Sequence, residues 1–394
     1  MKRYWKIVVL VPFILLCIGT YYINSTRINY PDYYLKLHAG DEKEAAGVTL
    51  EANQSLTIST LGSKYGSNSS YWSQLTSRYA KIPEIENLKK QYRQFMRGKN
   101  DSGAFYDDDK VLCYVETDSE TRDSYNFKIS VYDKKQKRNE YFKIGIPRNE
   151  YKSIRVVDVQ IVGRTLNLIT NNATIITNVA HSEFHHYKID LDKKNIASEQ
   201  NIASSDISKT DDPVEMGIYY ESKTATKPNR FTVFSINHTK QQVERKVASG
   251  TIVSNRQELA YYDMQSGKLI PIEVKAINDL SEMSISYSQS KLMLTSQTDS
   301  NEVRVILYSL ADDKIEIDTT IDTNGSLNKN ERINFVVNAK DRLYMTGNMV
   351  HGTENNFTVL IADMKTGHIL YEGYVARKDN MPTRNMIFEG FNIQ

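Results

Sequence analysis

The chain has 394 residues, 40% of them hydrophobic and 25% charged, with 18 Gly and 8 Pro, a composition that excludes a mainly disordered polypeptide. Its 50 Lys and Arg nearly balance 48 Asp and Glu, so the formal charge is +2 and no field of one sign exists to attract nucleic acid. Tyr is over-used, at 26 against 2 Trp, which suits half-buried sheet surfaces where the ring packs and the hydroxyl stays wet.

Lys2, Arg3 and Lys6 precede an apolar run from Ile7 to Ile23, and no charge appears between Lys6 and Arg27. As a helix, this run rises about 25 Å, near the lower limit for crossing hydrocarbon. Tyr21 and Tyr22 then fall at the far interface, and the basic start favours an N-terminus inside. Residues 1–25 are therefore expected to form a cytoplasmic basic start and an uncleaved single-pass anchor, crossing through residues 7–23 and leaving the bulk extracytoplasmic. A cleaved signal needs small residues before the cut, and Ile23 and Ser25 offer a poor site. A lipoprotein needs a small residue before Cys17, where Leu16 stands. Cys113 lies in a strand-like run, so no disulfide with Cys17 is expected. A disulfide-free extracytoplasmic chain rich in Lys, Asn, Ile and Tyr reads as a bacterial cell-envelope protein.

Residues 26–107 read as an extended linker with a strand at 55–60, a Ser- and Gly-rich polar loop from Gly62 to Ser73, and a helix at about 83–97. Pro83 suits the first turn of that helix, Glu84 and Glu86 complement its dipole, and Gly98 suits its end. Ile85, Leu88, Tyr92, Phe95 and Met96 fall on one face, which is expected to pack on the sheet domain.

From residue 108 to 394 the period becomes that of strands, and a two-part unit recurs. A short apolar strand ends in Thr or Ser at 117, 170, 222, 295 and 346. A strand-turn-strand then follows, as in Ile129-Ser130-Val131-Tyr132-Asp133 and Val359-Leu360-Ile361-Ala362-Asp363. The 222–295 interval is too long, and Leu259–Asp263 with Gly267–Ile270 reads as an extra short unit inside it. The expected fold is all-β, a propeller-like array of six to seven four-stranded units. Met386-Ile387-Phe388 is the expected closing segment, pairing near 55–60 or 111–117.

Few residues point to chemistry. His181, His185 and His186 are the densest cluster of metal-ligand types, but a strand sends His185 and His186 to opposite faces. The segment reads as a solvated loop before a strand, and no metal is expected. Asp107-Asp108-Asp109 lacks the alternate ligand spacing of a calcium loop and reads as a turn, as does Asp211-Asp212-Pro213. Lys134–Arg138 is a basic hairpin tip. Nucleophile, phosphate-loop and dinucleotide motifs are absent, so no catalytic residue is nominated and no cofactor is expected. These signs favour a binding or sensory module serving an envelope or membrane protein partner, such as an accessory to a transporter or sensor kinase. The alternative is an extracytoplasmic propeller hydrolase acting on an envelope polymer, with carboxylates gathered from several units.

Overall fold

The computed structural model describes residues 5–26, 31–52, 56–65, 83–121, 124–147, 151–176, 179–205, 213–219, 227–247, 250–273, 280, 283–288, 290–298, 302–323, 331–349, 357–381, 386 and 388–393. In chain order, helix α1 (Trp5–Thr26) precedes strands β1 (Tyr33–Gly40), β2 (Val48–Ala52), β3 (Leu56–Ser59) and β4 (Gly62–Tyr65). Helix α2 (Pro83–Gln91) leads into β5 (Phe105–Asp107), β6 (Val111–Thr121), β7 (Ser124–Asp133) and β8 (Arg138–Gly145). Next come β9 (Ser153–Val162), β10 (Thr165–Ile176), β11 (Val179–Asp190) and β12 (Asn195–Ser204). They are followed by β13 (Val214–Tyr219), β14 (Phe231–Val247), β15 (Gly250–Asp263) and β16 (Lys268–Pro271). Then stand β17 (Ser284–Ser288), β18 (Lys291–Gln297), β19 (Glu302–Ser309) and β20 (Lys314–Asp322). The last five are β21 (Glu331–Ala339), β22 (Arg342–Met349), β23 (Thr358–Asp363), β24 (Ile369–Arg377) and β25 (Phe388–Ile393).

Among the described residues these strands make six antiparallel sheets, five of four strands and one of five. The chain divides into two compact units, residues 81–320 and residues 1–80 with 321–394.

In the unit 81–320, each sheet is a meander of four strands in sequence order: β5–β8, β9–β12, β13–β16 and β17–β20. One local device recurs. The third strand ends in Asp133, Asp190 or Asp263, and the carboxylate caps the next turn by accepting a backbone N–H two or three residues on. In the β19–β20 turn the hydroxyl of Ser309 accepts the N–H of Asp312 instead.

The expected extra unit at 259–270 does not exist. Leu259–Asp263 and Gly267–Ile270 belong to β15 and β16, the last two strands of one sheet. Ile218 lies on β13, a first strand, whereas the other apolar runs ending in Thr or Ser lie on second strands, β6, β10, β18 and β22. The true counterpart is Phe231–Ser235 on β14. The interval is long because β14 and β15 extend past His238 and Arg256 as a ribbon paired only to itself, up to Val247 opposite Gly250.

Helix α2 is shorter than expected. It ends at Gln91, and the chain continues in turns closed by Tyr92 N–H to Leu88 C=O and Met96 N–H to Tyr92 C=O. Its apolar face is used as expected: Ile85, Leu88, Phe95 and Met96 are buried in a core shared with β6, β7 and β9, and Tyr92 packs against it.

In the other unit, the segment read as a linker contributes strands. β1 adds to the edge of a sheet in the order β1-β24-β23-β22-β21, and β25 opens another in the order β25-β2-β3-β4. Gly62–Tyr65 is thus a strand, not part of a loop. The two chain ends interleave in both sheets. The C-terminal strand pairs with 48–52 rather than with 56–59, its neighbour once removed. Residues 111–117 lie in a different sheet. Phe388, Phe391 and Met386 are buried with Phe357, Tyr344 and Leu50.

Six apolar residues on α1 are strongly exposed: Leu10, Val11, Phe13, Ile14, Leu16 and Ile18. The described side chains of this helix run only from Leu10 to Tyr21. Among the described residues, no helix is long and apolar enough to cross a membrane.

Candidate binding cleft

The unit 81–320 contains a cleft of about 690 Å³ where turns of three consecutive sheets converge. One wall is the β9–β10 hairpin, with Gln160, Ile161, Val162 and Thr165, turned at Gly163 in the left-handed region (φ 63°) that favours glycine. The opposite wall is the strap before β14, Pro228-Asn229-Arg230, with Met264 and Gln265 of the β15–β16 turn beside it. Asn167 and Lys188 form the floor and flank, on β10 and β11.

The strap carries no regular structure of its own, and side chains hold it. Gln160, 4% exposed, accepts the Asn229 N–H at Oε1 (2.7 Å) and donates from Nε2 to Asp158 Oδ1 (2.9 Å). Asp158 in turn accepts from the Thr232 hydroxyl. Tyr287 of β17 donates its O–H to Asn229 Oδ1 (2.7 Å), which also accepts the Phe231 N–H (3.2 Å). Lys227 pairs with Asp107 at the end of β5 (3.1 Å), a carboxylate that also takes Lys134. Strands β5, β9 and β17, from three sheets, therefore fix Asn229 and the neighbouring Lys227.

Arg230 is neutralised at the rim by a two-pronged pair with Asp263, both contacts at 2.7 Å. The guanidinium holds the Asp263 carboxyl down at about 2. Lys188 differs: among the described residues it has no carboxylate partner.

His186 lies directly behind the cleft and is 1% exposed. Its Nε2 lies 3.0 Å from Asn167 Oδ1 and its Nδ1 2.8 Å from the Tyr262 hydroxyl, which is also 3.4 Å from Gln200 Oε1. Burial, then the Lys188 charge, pushes its pKa down to about 4, so the ring is neutral at pH 7.

The histidines expected in a solvated loop lie inside β11, in register with β10 from Thr174↔His181 to Ile169↔His186. His185 and His186 do face opposite ways, as alternation requires. His185, also 1% exposed, sits within 2.9 Å of Glu183 and 3.0 Å of Glu199, with Tyr151 O–H at 3.1 Å. No group of three metal-ligand side chains able to hold an ion occurs among the described residues. The loop expectation failed because the buried partners Glu199, Tyr151, Tyr262 and Asn167 come from elsewhere in the chain. Period-2 apolar spacing cannot register them.

The acidic run resolves into structural roles. Asp107 binds two lysines, and Asp108 caps the turn into β6 through the N–H groups of Lys110 (2.8 Å) and Val111 (2.6 Å). Asp211 and Asp212 lie outside the described residues. The 134–138 run is the β7–β8 turn, as expected of a hairpin tip. The cleft residues themselves were not singled out by sequence reasoning. The only local signal was Asn229 after Pro228, which looks like any turn.

No family model matches the chain, and no curated protein matches it. Among solved structures, an uncharacterized protein from Listeria monocytogenes EGD-e is 11% identical, covering 71% of this chain and 68% of that one, with a TM-score of 0.33. The β-propeller domain of the Trilobed protease from Pyrococcus furiosus is 7% identical over 72% and 93%, TM-score 0.25. The WD40 domain of SCAP from fission yeast is 14% identical over 68% and 52%, TM-score 0.26. Scores of this size identify neither an activity nor a partner.

Proposed function

We propose that this protein is a membrane-tethered binding module of the cell envelope, whose sheets are the blades of a propeller and whose cleft receives the ligand or partner. The observation that carries the reading is the cleft itself: about 690 Å³, within the range of ligand sites, walled by turns that side-chain bonds hold in place. A site pre-formed in this way loses little entropy on binding. Its lining is amide, hydroxyl, aliphatic and cationic, which suits recognition better than acid–base chemistry.

The tether rests on the sequence around α1. The full helix of 22 residues measures about 33 Å, comparable with the hydrocarbon core of a bilayer. Its exposed apolar side chains need a non-aqueous neighbour, and the basic residues before them favour an inside N-terminus. The propeller reading rests on the repeated four-strand meanders and on the interleaving of the two chain ends, which completes two sheets with strands from both ends.

The test is fractionation of cells making the full chain. The protein is expected to stay in the membrane pellet after a high-salt wash and to leave it with detergent. Release of a shorter, soluble form by salt alone contradicts the tether.

A further inference from the structure

The hydrogen bonds that hold the strap share one polarity. Asn229 Oδ1 is committed to the Phe231 N–H and the Tyr287 O–H, and the backbone donor fixes which way that amide points. Its Nδ2 has no partner among the described residues. Asn167, only 5% exposed, lies on the same cleft lining with its side-chain amide 3.0 Å from His186. Gln160 spends its carbonyl oxygen on the strap. The side-chain acceptors that hold the strap are thus spent inside the protein, while the Asn229 Nδ2 donor is left over on the cleft lining. Lys188, without a carboxylate partner among the described residues, adds a cation to the same lining.

We infer that the cleft binds an oxyanion, a carboxylate or phosphate group carried by an anionic polymer or its fragment, through Asn229 Nδ2 and the Lys188 ammonium. This rests on the cleft being the binding site and adds the chemistry of its ligand. An acceptor-only group matches a surplus of donors, and charge-assisted bonds to an oxyanion are roughly twice as strong as neutral ones. A neutral, donor-bearing ligand would leave its own hydroxyl hydrogens facing N–H groups. Arg230 contributes little net charge, because Asp263 already neutralises it.

The test uses the full chain in neutral detergent and titrates polygalacturonate, inorganic polyphosphate and uncharged dextran by calorimetry. One or both polyanions are expected to bind and dextran is not; the tighter polyanion identifies carboxylate or phosphate as the natural group. Lys188→Gln and Asn229→Asp are each expected to weaken that binding by about tenfold or more. Asn229→Asp keeps the acceptor that holds the strap, so its thermal midpoint serves as the folding control. Lys193→Gln, on the exposed β11–β12 turn, is expected to bind like the parent. Failure of both polyanions to bind, or equal binding by the cleft variants, overturns the inference. Dextran binding that a bulky Val162→Trp abolishes also overturns it, but leaves the cleft standing as a binding site.

Discussion

Gln160 and Asn229, 69 residues apart, are joined by a 2.7 Å bond from the Asn229 N–H to the Gln160 side-chain oxygen, which pins an irregular strap to an edge strand. Gln160 is 4% exposed, and loss of its oxygen leaves a half-buried backbone donor without its protein partner. Gln160→Leu is therefore expected to cost about 1–3 kcal/mol in urea unfolding and to weaken ligand binding in the cleft. Unchanged stability and unchanged binding contradict the role given to this bond.

His186 makes stability depend on acid. Its folded pKa is lowered to about 4 from an ordinary 6.5, so between those values the unfolded chain holds more protons. The contribution is complete above about pH 6.5 and is lost as the pH falls toward 4, a change on the order of 3 kcal/mol. Protonation also places an N–H on both ring nitrogens, so that neither can accept from its neighbour. Comparing unfolding free energies of the parent and His186→Gln from pH 7 to 4.5 checks this. The variant is expected to show a flatter dependence, and parallel curves contradict the assignment.

Leu88 is 5% exposed on the buried face of α2. Leu88→Ala is expected to cost about 2–5 kcal/mol, and Leu88→Asp more, because an unpaired carboxylate would face Ile85 and Phe95. If either variant unfolds like the parent, the helix does not share the core of its unit.

The C-terminal strand is expected to be indispensable to its own unit. Phe391, 1% exposed, lies in one buried cluster with Tyr344 and Phe388, and β25 covers the edge of β2. Phe391→Ala is expected to cost about 3–5 kcal/mol, and removal of residues 388–394 to abolish the cooperative melting of that unit. Calorimetry reads both. An unshifted transition after the deletion contradicts the interleaving.

How far the sequence foretold these features depends on how local the chemistry is. Asp133, Asp190, Asp263 and Asp363 were legible as strand ends because an Asp carboxylate bonds N–H groups two and three residues away. The α2 face was legible because its contacts repeat with the helical turn, although Pro83 to Gly98 overstated the helix by a turn and a half. Phase was harder. Ile218 looked like a second strand because β13 and β14 are both apolar, and nothing local distinguishes an edge strand from its neighbour. β1 and β2 escaped notice because their alternation spans only a few residues between polar stretches. The cleft was illegible for the opposite reason. Asn167, Lys188 and Asn229 are ordinary residues separately, and only the convergence of turns from three sheets gives them one shared volume.

The central claim is that the cleft-bearing part of the chain is held at a membrane and faces away from the cytoplasm. Val162, on the rim of the cleft and 71% exposed, gives the most direct test through Val162→Cys. Intact cells are treated with a membrane-impermeant maleimide. The parent supplies the background, since Cys113 is fully buried and Cys17 lies within α1. The account predicts that Val162→Cys is labelled in intact cells as completely as after lysis, while the parent is not. Labelling that appears only after lysis would place the cleft inside the cytoplasm and contradict the account.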